Sequence, residues 1–263
     1  MKRITSHDNP AWKSLMRLCH SSRDRRKAGK CVLEGAHSIL AYLERQGSPE
    51  TVVVSDELAG DPEIARIAAA VGEKHLIFAD PRLFGELAQT ASPVGIVAVI
   101  AAPQPRSTQP GAFNLLLDNV QDPGNVGTML RSAAAAGVTH AFLSEGCAFA
   151  WSPKVLRAGQ GAHFFVDIIE HADLVALAGA FDGKIVAATP RAVASVFETD
   201  LSGPLMLVVG SEGAGLSPAL AARASLEVAI PMPGGFESLN AASAAAICLF
   251  EKVRQERGEP RPG

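Results

Sequence analysis

The stretch that decides the fold runs Phe113-Asn-Leu-Leu-Leu-Asp118, Asn119-Val-Gln-Asp-Pro-Gly-Asn-Val-Gly127, Thr128-Met-Leu-Arg131, followed by Ser132, four alanines and Gly137. An apolar strand runs into a glycine-containing loop, and the loop opens a helix. In parallel α/β folds, ligands bind at the carboxyl ends of the strands, over turns of this kind. Asn125 is expected near the helix N-cap, where its side chain can bond backbone N–H groups. Arg131 stands six residues further on, about 9 Å of helical rise. Helical side chains lean toward the N-terminus, so a long arginine can reach back over the loop. The plain alternative is that Asn125 only caps and Arg131 is only solvated. The loop is neither a GxxxxGK[ST] phosphate loop nor a dinucleotide GxGxxG turn.

Two further stretches repeat the strand-into-loop pattern. Leu205-Met-Leu-Val-Val-Gly-Ser-Glu-Gly-Ala-Gly-Leu-Ser217 has three glycines within six positions, which lets backbone approach a ligand closely. Glu212 is its only charge, and Ser217-Pro218 reads as a cap and a first helical residue. An ordinary tight turn would look similar. Ile230-Pro-Met-Pro-Gly-Gly-Phe-Glu-Ser-Leu-Asn240 leads into an alanine-rich helix ending near Glu251. Ser238 and Asn240 are both candidate caps, and they need do nothing else. The small residues Ala241 to Ala246 allow close packing of another helix, from this chain or a second copy.

Apolar runs at Ala141–Leu143, His163–Ile169, Lys184–Ala188 and Leu226–Ile230 complete a strand series with helical stretches between. The expected class is α/β, with a mostly parallel sheet covered by helices on both faces. Upstream, Trp12–Leu18, Gly35–Leu43 and Pro62–Val71 read as helices, and Thr51–Ser55, Leu76–Phe78 and Val94–Ile100 as strands. Ala101 to Gly111 holds three prolines and no periodicity, the pattern of a linker. The division is therefore residues 1–100, a linker at 101–111, a second domain at 112–257 and a frayed tail at 258–263.

Charge is unevenly spread. Residues 1–30 carry nine basic side chains against two acidic ones, or +7, so the remainder of a chain with net charge −3 carries −10. A basic arm on an acidic protein is the electrostatic pattern of a phosphate-backbone binder, or else a solubilising face. Arg23, Arg25, Arg26 and Lys27 are its densest part. Cys19, Cys31, Cys147 and Cys248 are scattered, form no CxxC and have no zinc-ligand spacing. They read as reduced thiols of a cytoplasmic protein, with no metal. The N-terminus has no signal-peptide pattern and no run spans a bilayer, so no membrane role is expected.

The segments DNVQDPGNVGTMLRSAAAAG, LVVGSEGAGLS and IPMPGGFESLNAASAAAICLFE closely resemble, in order and spacing, the three signature motifs of SpoU-type (TrmH-like) RNA 2′-O-ribose methyltransferases. The resemblance extends over residues 111–256. The N-terminal segment, with its Arg-Arg-Lys and Val-Leu-Glu-Gly-Ala, resembles that family's small L30e-like RNA substrate-binding domain more loosely. The resemblance implies a trefoil-knotted fold, a homodimer, S-adenosylmethionine bound in the knot and an RNA substrate, with ribosomal RNA favoured and transfer RNA the alternative. It implies that Asn125, Arg131, Glu212, Ser238 and Asn240 are the polar active-site residues. Thr189, Gly210, Glu212, Ile230, Met232 and Leu239 would border the cofactor. Pro233 and Phe236 fall in the variable centre of the third motif. On this reading Arg131 holds a substrate phosphate and stabilises developing alkoxide charge, and Asn125 orients Arg131 and the ribose. Two rivals are an inactive RNA-binding relative and a dinucleotide oxidoreductase. The first is disfavoured because all five polar positions are filled, the second because GxGxxG is missing.

Overall fold

The computed structural model describes residues 2–87 and 95–258, which form two compact units. The predicted strand start at Val94 and most of the predicted tail lie outside the described residues. One unit comprises residues up to Pro103 together with Trp151–Phe164; the other comprises Gln104–Ala150 and residues from Phe165 on. The excursion Trp151–Phe164 is absent from a linear division of the sequence.

In the first unit, β1 (Lys2–Ile4), α1 (Pro10–His20), α2 (Ser22–Ala28), β2 (Lys30–Glu34), α3 (Ala36–Gln46), β3 (Thr51–Ser55), α4 (Pro62–Val71), β4 (Leu76–Ala79), α5 (Pro81–Leu87) and β5 (Ile96–Ala101) follow in order. The sheet order is β1-β4-β3-β5-β2; β4 is parallel to β1 and β3, while β5 runs antiparallel to β3 and β2. Trp12, Leu15 and Cys19 of α1 lie on one helical face and pack against Val32, Val53, Ile77 and Val97. The short α2 is capped by Ser21, whose hydroxyl accepts from the Asp24 N–H, and ends at the left-handed Gly29.

The second unit holds β6 (Phe113–Asp118), α6 (Pro123–Ala136) and β7 (His140–Leu143). The chain then contributes α7 (Pro153–Gly159) to the first unit and returns for β8 (Asp167–Ile169), α8 (Leu174–Ala180), β9 (Lys184–Ala188), β10 (Leu205–Gly210), α9 (Pro218–Ala221), β11 (Leu226–Val228) and α10 (Ala241–Glu256). All strand pairs are parallel, in the order β11-β9-β10-β6-β7-β8. Leu115, Leu116, Leu117, Met206 and Val208 are fully buried, as expected of strands covered on both faces. The apolar run at His163–Ile169 is not one strand. Ala162–Phe164 is a 3-10 turn in the first unit, and only Asp167–Ile169 pairs, because the run spans the return from one unit to the other.

The end of the proline-rich segment is tied down within the second unit. The Arg106 backbone N–H and Nε both donate to Asp167 Oδ1, at 3.0 and 3.1 Å. Within the first unit, α7 is held by the Arg157–Glu34 ion pair. A Cβ on Gly161 would stand 2.6 Å from that of Ala41, so the returning chain passes closely over α3.

Candidate active site

The switch in strand order lies between β6 and β10, where connections leave the sheet in opposite directions; in open α/β sheets ligands bind at the carboxyl edge of such a point. The register sets Asp118 opposite Gly210, so the loops after the two strands leave side by side. A Cβ on Gly210 would fall 2.3 Å from the Gly215 carbonyl carbon. Only glycine lets the chain double back there, through the Ser211–Gly215 bridge, and this fold presents Glu212.

Asp118 holds the same loop at its far end. Its buried carboxylate accepts from the Asn119 side-chain amide at 2.8 Å and from the Ser217 N–H at 2.7 Å. Asp118 ends the first strand of the first motif, and the motif alone assigns it no task. The signal was there, since a carboxylate ending a buried strand needs partners.

Three of the five polar residues meet. The Asn125 amide nitrogen donates to Glu212 Oε1, and the Asn240 amide nitrogen donates to Asn125 Oδ1 at 2.9 Å and to Glu212 Oε1 at 3.2 Å. Asn240 Oδ1 accepts from the N–H groups of Ala242 and Ser243, so this residue also caps α10. Asn125 does not cap α6. Asp122 does, through the Asn125 N–H at 2.7 Å, because Pro123 starts the helix earlier. Asn125 therefore sits inside the first turn, 9% exposed, with both atoms of its amide engaged.

The other two polar residues stand apart. Arg131 is exposed and makes no hydrogen bond or ion pair among the described residues. Six residues from Asn125 amount to about 240° around a helix, which turns Arg131 away from the amide. The expectation that Asn125 orients Arg131 is thus corrected: Asn125 is spent on Glu212 and Asn240. Ser238 is exposed and likewise has no hydrogen-bond partner among the described residues.

The expected cofactor positions converge on the same edge. Thr189 follows β9 and its N–H donates to the Val228 carbonyl of β11, while Ala188 pairs with Val228. Gly210 ends the neighbouring β10, and Ile230 follows β11. The segment at Ala194–Val196 bonds both sides of Ala229, closing one wall. Met232 and Ile230 are half-buried and Leu239 is 39% exposed, leaving apolar side chains beside exposed backbone. That combination suits an adenosyl group with a charged sulfonium chain. A separate groove of about 740 Å³ in this unit is lined by Phe142, Leu177 and Phe181, and by none of these residues.

In the first unit, Arg23, Arg26 and Lys27 are exposed. Arg25 is not: it is 6% exposed, and its Nη1 donates to the carbonyls of Leu18 and Cys19, closing the end of α1. The expectation that Arg25 meets phosphate is corrected on that ground. Burial pushes the Cys19 and Cys248 thiols up to about 12, so neither is a thiolate near neutral pH. Among the described residues no group of three His, Cys, Asp or Glu side chains could hold a metal, and no helix is long and apolar enough to cross a membrane.

In this unit three strand-end motifs join a carboxylate to two amides beside partly exposed apolar side chains, the makings of an enzyme's ligand site at the strand ends of a parallel α/β sheet. Residues 112–250 match the SpoU rRNA methylase family, and residues 9–98 match the MRM3-like substrate binding domain. An uncharacterised tRNA/rRNA methyltransferase of Synechocystis is 34% identical, covering 99% of this chain and 96% of the relative. A Bacillus subtilis 23S rRNA (guanosine(2553)-2′-O)-methyltransferase is 32% identical over 95% of this chain and 98% of its own. The crystal structure of the SpoU methyltransferase AviRb from Streptomyces viridochromogenes, in complex with S-adenosylmethionine, superposes with a TM-score of 0.81 at 27% identity, covering 94% of this chain and 98% of that one. The chain belongs to the SpoU rRNA methylase family, and its second unit has the trefoil-knotted fold of those enzymes.

Proposed function

We propose that this protein transfers a methyl group from S-adenosylmethionine to a ribose 2′-hydroxyl of ribosomal RNA. The observation that carries the reading is the hydrogen-bonded set Asn125–Glu212–Asn240, one residue from each motif. The cofactor supplies a sulfonium methyl open to in-line attack by the ribose oxygen. Thr189, Gly210, Ile230, Met232 and Leu239 are the residues proposed to hold it.

Glu212 is an acceptor, and its Oε1 already takes two amide N–H groups. Its Oε2 is left to receive a hydrogen bond from the substrate hydroxyl and fix the direction of attack. Asn125 and Asn240 hold the carboxylate in place. Arg131 stays protonated at neutral pH, so it serves as a phosphate anchor, while the proton leaves to phosphate or water. Ser238, two residues before Asn240, supplies a hydroxyl to the ribose. The first domain carries Arg23, Arg26 and Lys27 onto RNA phosphates. A homodimer fits the 47% exposed Phe250 on α10, the helix packed beside α6. The reaction is proposed for the cytoplasm, in keeping with the bacterial 23S rRNA methyltransferase relative from Bacillus subtilis.

The test is transfer of radiolabelled methyl to unmodified large-subunit ribosomal RNA, followed by digestion to nucleosides. A 2′-O-methyl nucleoside is expected. Label in a base, or none at all, would overturn the reading.

A further inference from the structure

The loop between Ile230 and Asn240 carries an aromatic ring with no place in the fold. Phe236 is 77% exposed and makes no ring contact among the described residues. Burying such a ring stabilises a fold, and this fold forgoes that gain. Its placement is held by backbone: the Gly235 N–H donates to the Met232 carbonyl at 3.0 Å, with Gly235 at φ +72°. Pro231 and Pro233 stiffen the approach. Four residues on, Asn240 joins Glu212 and Asn125, so the Cα atoms of Phe236 and Asn240 lie at most about 14 Å apart. Between them lie the unbonded Ser238 hydroxyl and the partly exposed Leu239.

We propose that Phe236 is the stacking platform for an unpaired base of the substrate RNA, at the target nucleotide or next to it. The inference rests on the proposed RNA methyltransferase reading and names how that site grips its substrate. The exposed ring, four residues from Asn240 of the Glu212 cluster, offers a flat apolar face to a base splayed from its neighbours. Proteins recognise such bases by stacking them on aromatic rings. Every base has a π-face, so the ring adds affinity and leaves identity to other contacts.

The experiment uses the full-length chain. Phe236→Ala and Phe236→Leu should raise KM for large-subunit ribosomal RNA about 5- to 150-fold at little-changed kcat, because stacking is made before and during the reaction. Phe236→Tyr should restore KM. In Phe236→Trp the new indole reports directly, since Trp12 and Trp151 are buried. Its fluorescence should be quenched by oligouridylate and not by an abasic ribose-phosphate oligomer of the same length. Leucine performing as well as phenylalanine, or equal response to both oligomers, overturns the proposal. So does a weakened S-adenosylmethionine Kd in Phe236→Ala, which would give the ring to the cofactor, or a halved mass, which would give it to a second copy. If the wild-type chain methylates no RNA, the function reading fails by itself, and the quenching comparison still decides the stacking.

Discussion

Asn240 has two separable tasks, because its oxygen caps α10 while its nitrogen serves Asn125 and Glu212. Aspartate is as good a cap as asparagine, but it would set a second carboxylate against Glu212. Asn240→Asp should therefore keep the wild-type melting temperature to within a few degrees. Its kcat should fall about 10- to 150-fold, the range for losing a hydrogen bond to a charged group. Asn240→Ala, which loses the cap as well, should also cost about 1 kcal/mol of stability. Equal activity in the aspartate variant and wild type would show that only the cap matters. Arg131 makes the opposite case, with no hydrogen-bond or ion-pair partner among the described residues to lose. Arg131→Ala should leave folding and calorimetric S-adenosylmethionine affinity intact and abolish methyl transfer. Wild-type turnover would remove it from the site.

At the scale of elements, the loop after β10 works because two contacts fix its ends and one glycine lets it fold back. Gly210→Ala would drive a methyl group into the Gly215 backbone. The expected cost is about 1–3 kcal/mol by urea denaturation, as for overpacking elsewhere, together with a weaker S-adenosylmethionine Kd, since Glu212 must move. Gly213→Ala is the internal control: nothing lies within 4 Å of its added Cβ, and its φ is not positive. A harmless Gly210→Ala would mean that the loop is not held as its geometry indicates.

For the whole molecule, the asymmetry of charge makes a salt prediction. Replacing Arg23, Arg26 and Lys27 by glutamine should flatten the slope of log K against log salt by roughly 0.7 to 0.9 per lost phosphate contact. KM for RNA should rise more than kcat falls. Adding Arg25→Gln should instead destabilise the protein, because that guanidinium closes α1. An unaltered slope in the triple variant would make the arm a solvated face. Light scattering at micromolar concentration should give twice 27.4 kDa; the monomer mass would count against the homodimer.

Much of this was already written in the order of residues. The alternation of apolar strands, glycine loops and helices is local chemistry, read through periodicity and the special demands of glycine and proline, and it was enough for a parallel α/β class. The resemblance of three motifs supplied the family and the five polar positions. What only the tertiary structure decided is which of those residues meet. Asn125, Glu212 and Asn240 are separated by 87 and 28 positions, and they touch because β6 and β10 lie side by side with Asp118 opposite Gly210. Strand order is set by burial of the whole sheet, which no local pattern records. The same is true of Arg25, drawn inward to two helix carbonyls although its neighbours in sequence are all charged. It is true also of Trp151–Phe164, which belongs to the first unit although it lies within the sequence of the second. A side chain's type is a property of the sequence, but its partners are fixed only when distant segments compete to bury apolar area and satisfy every buried polar group.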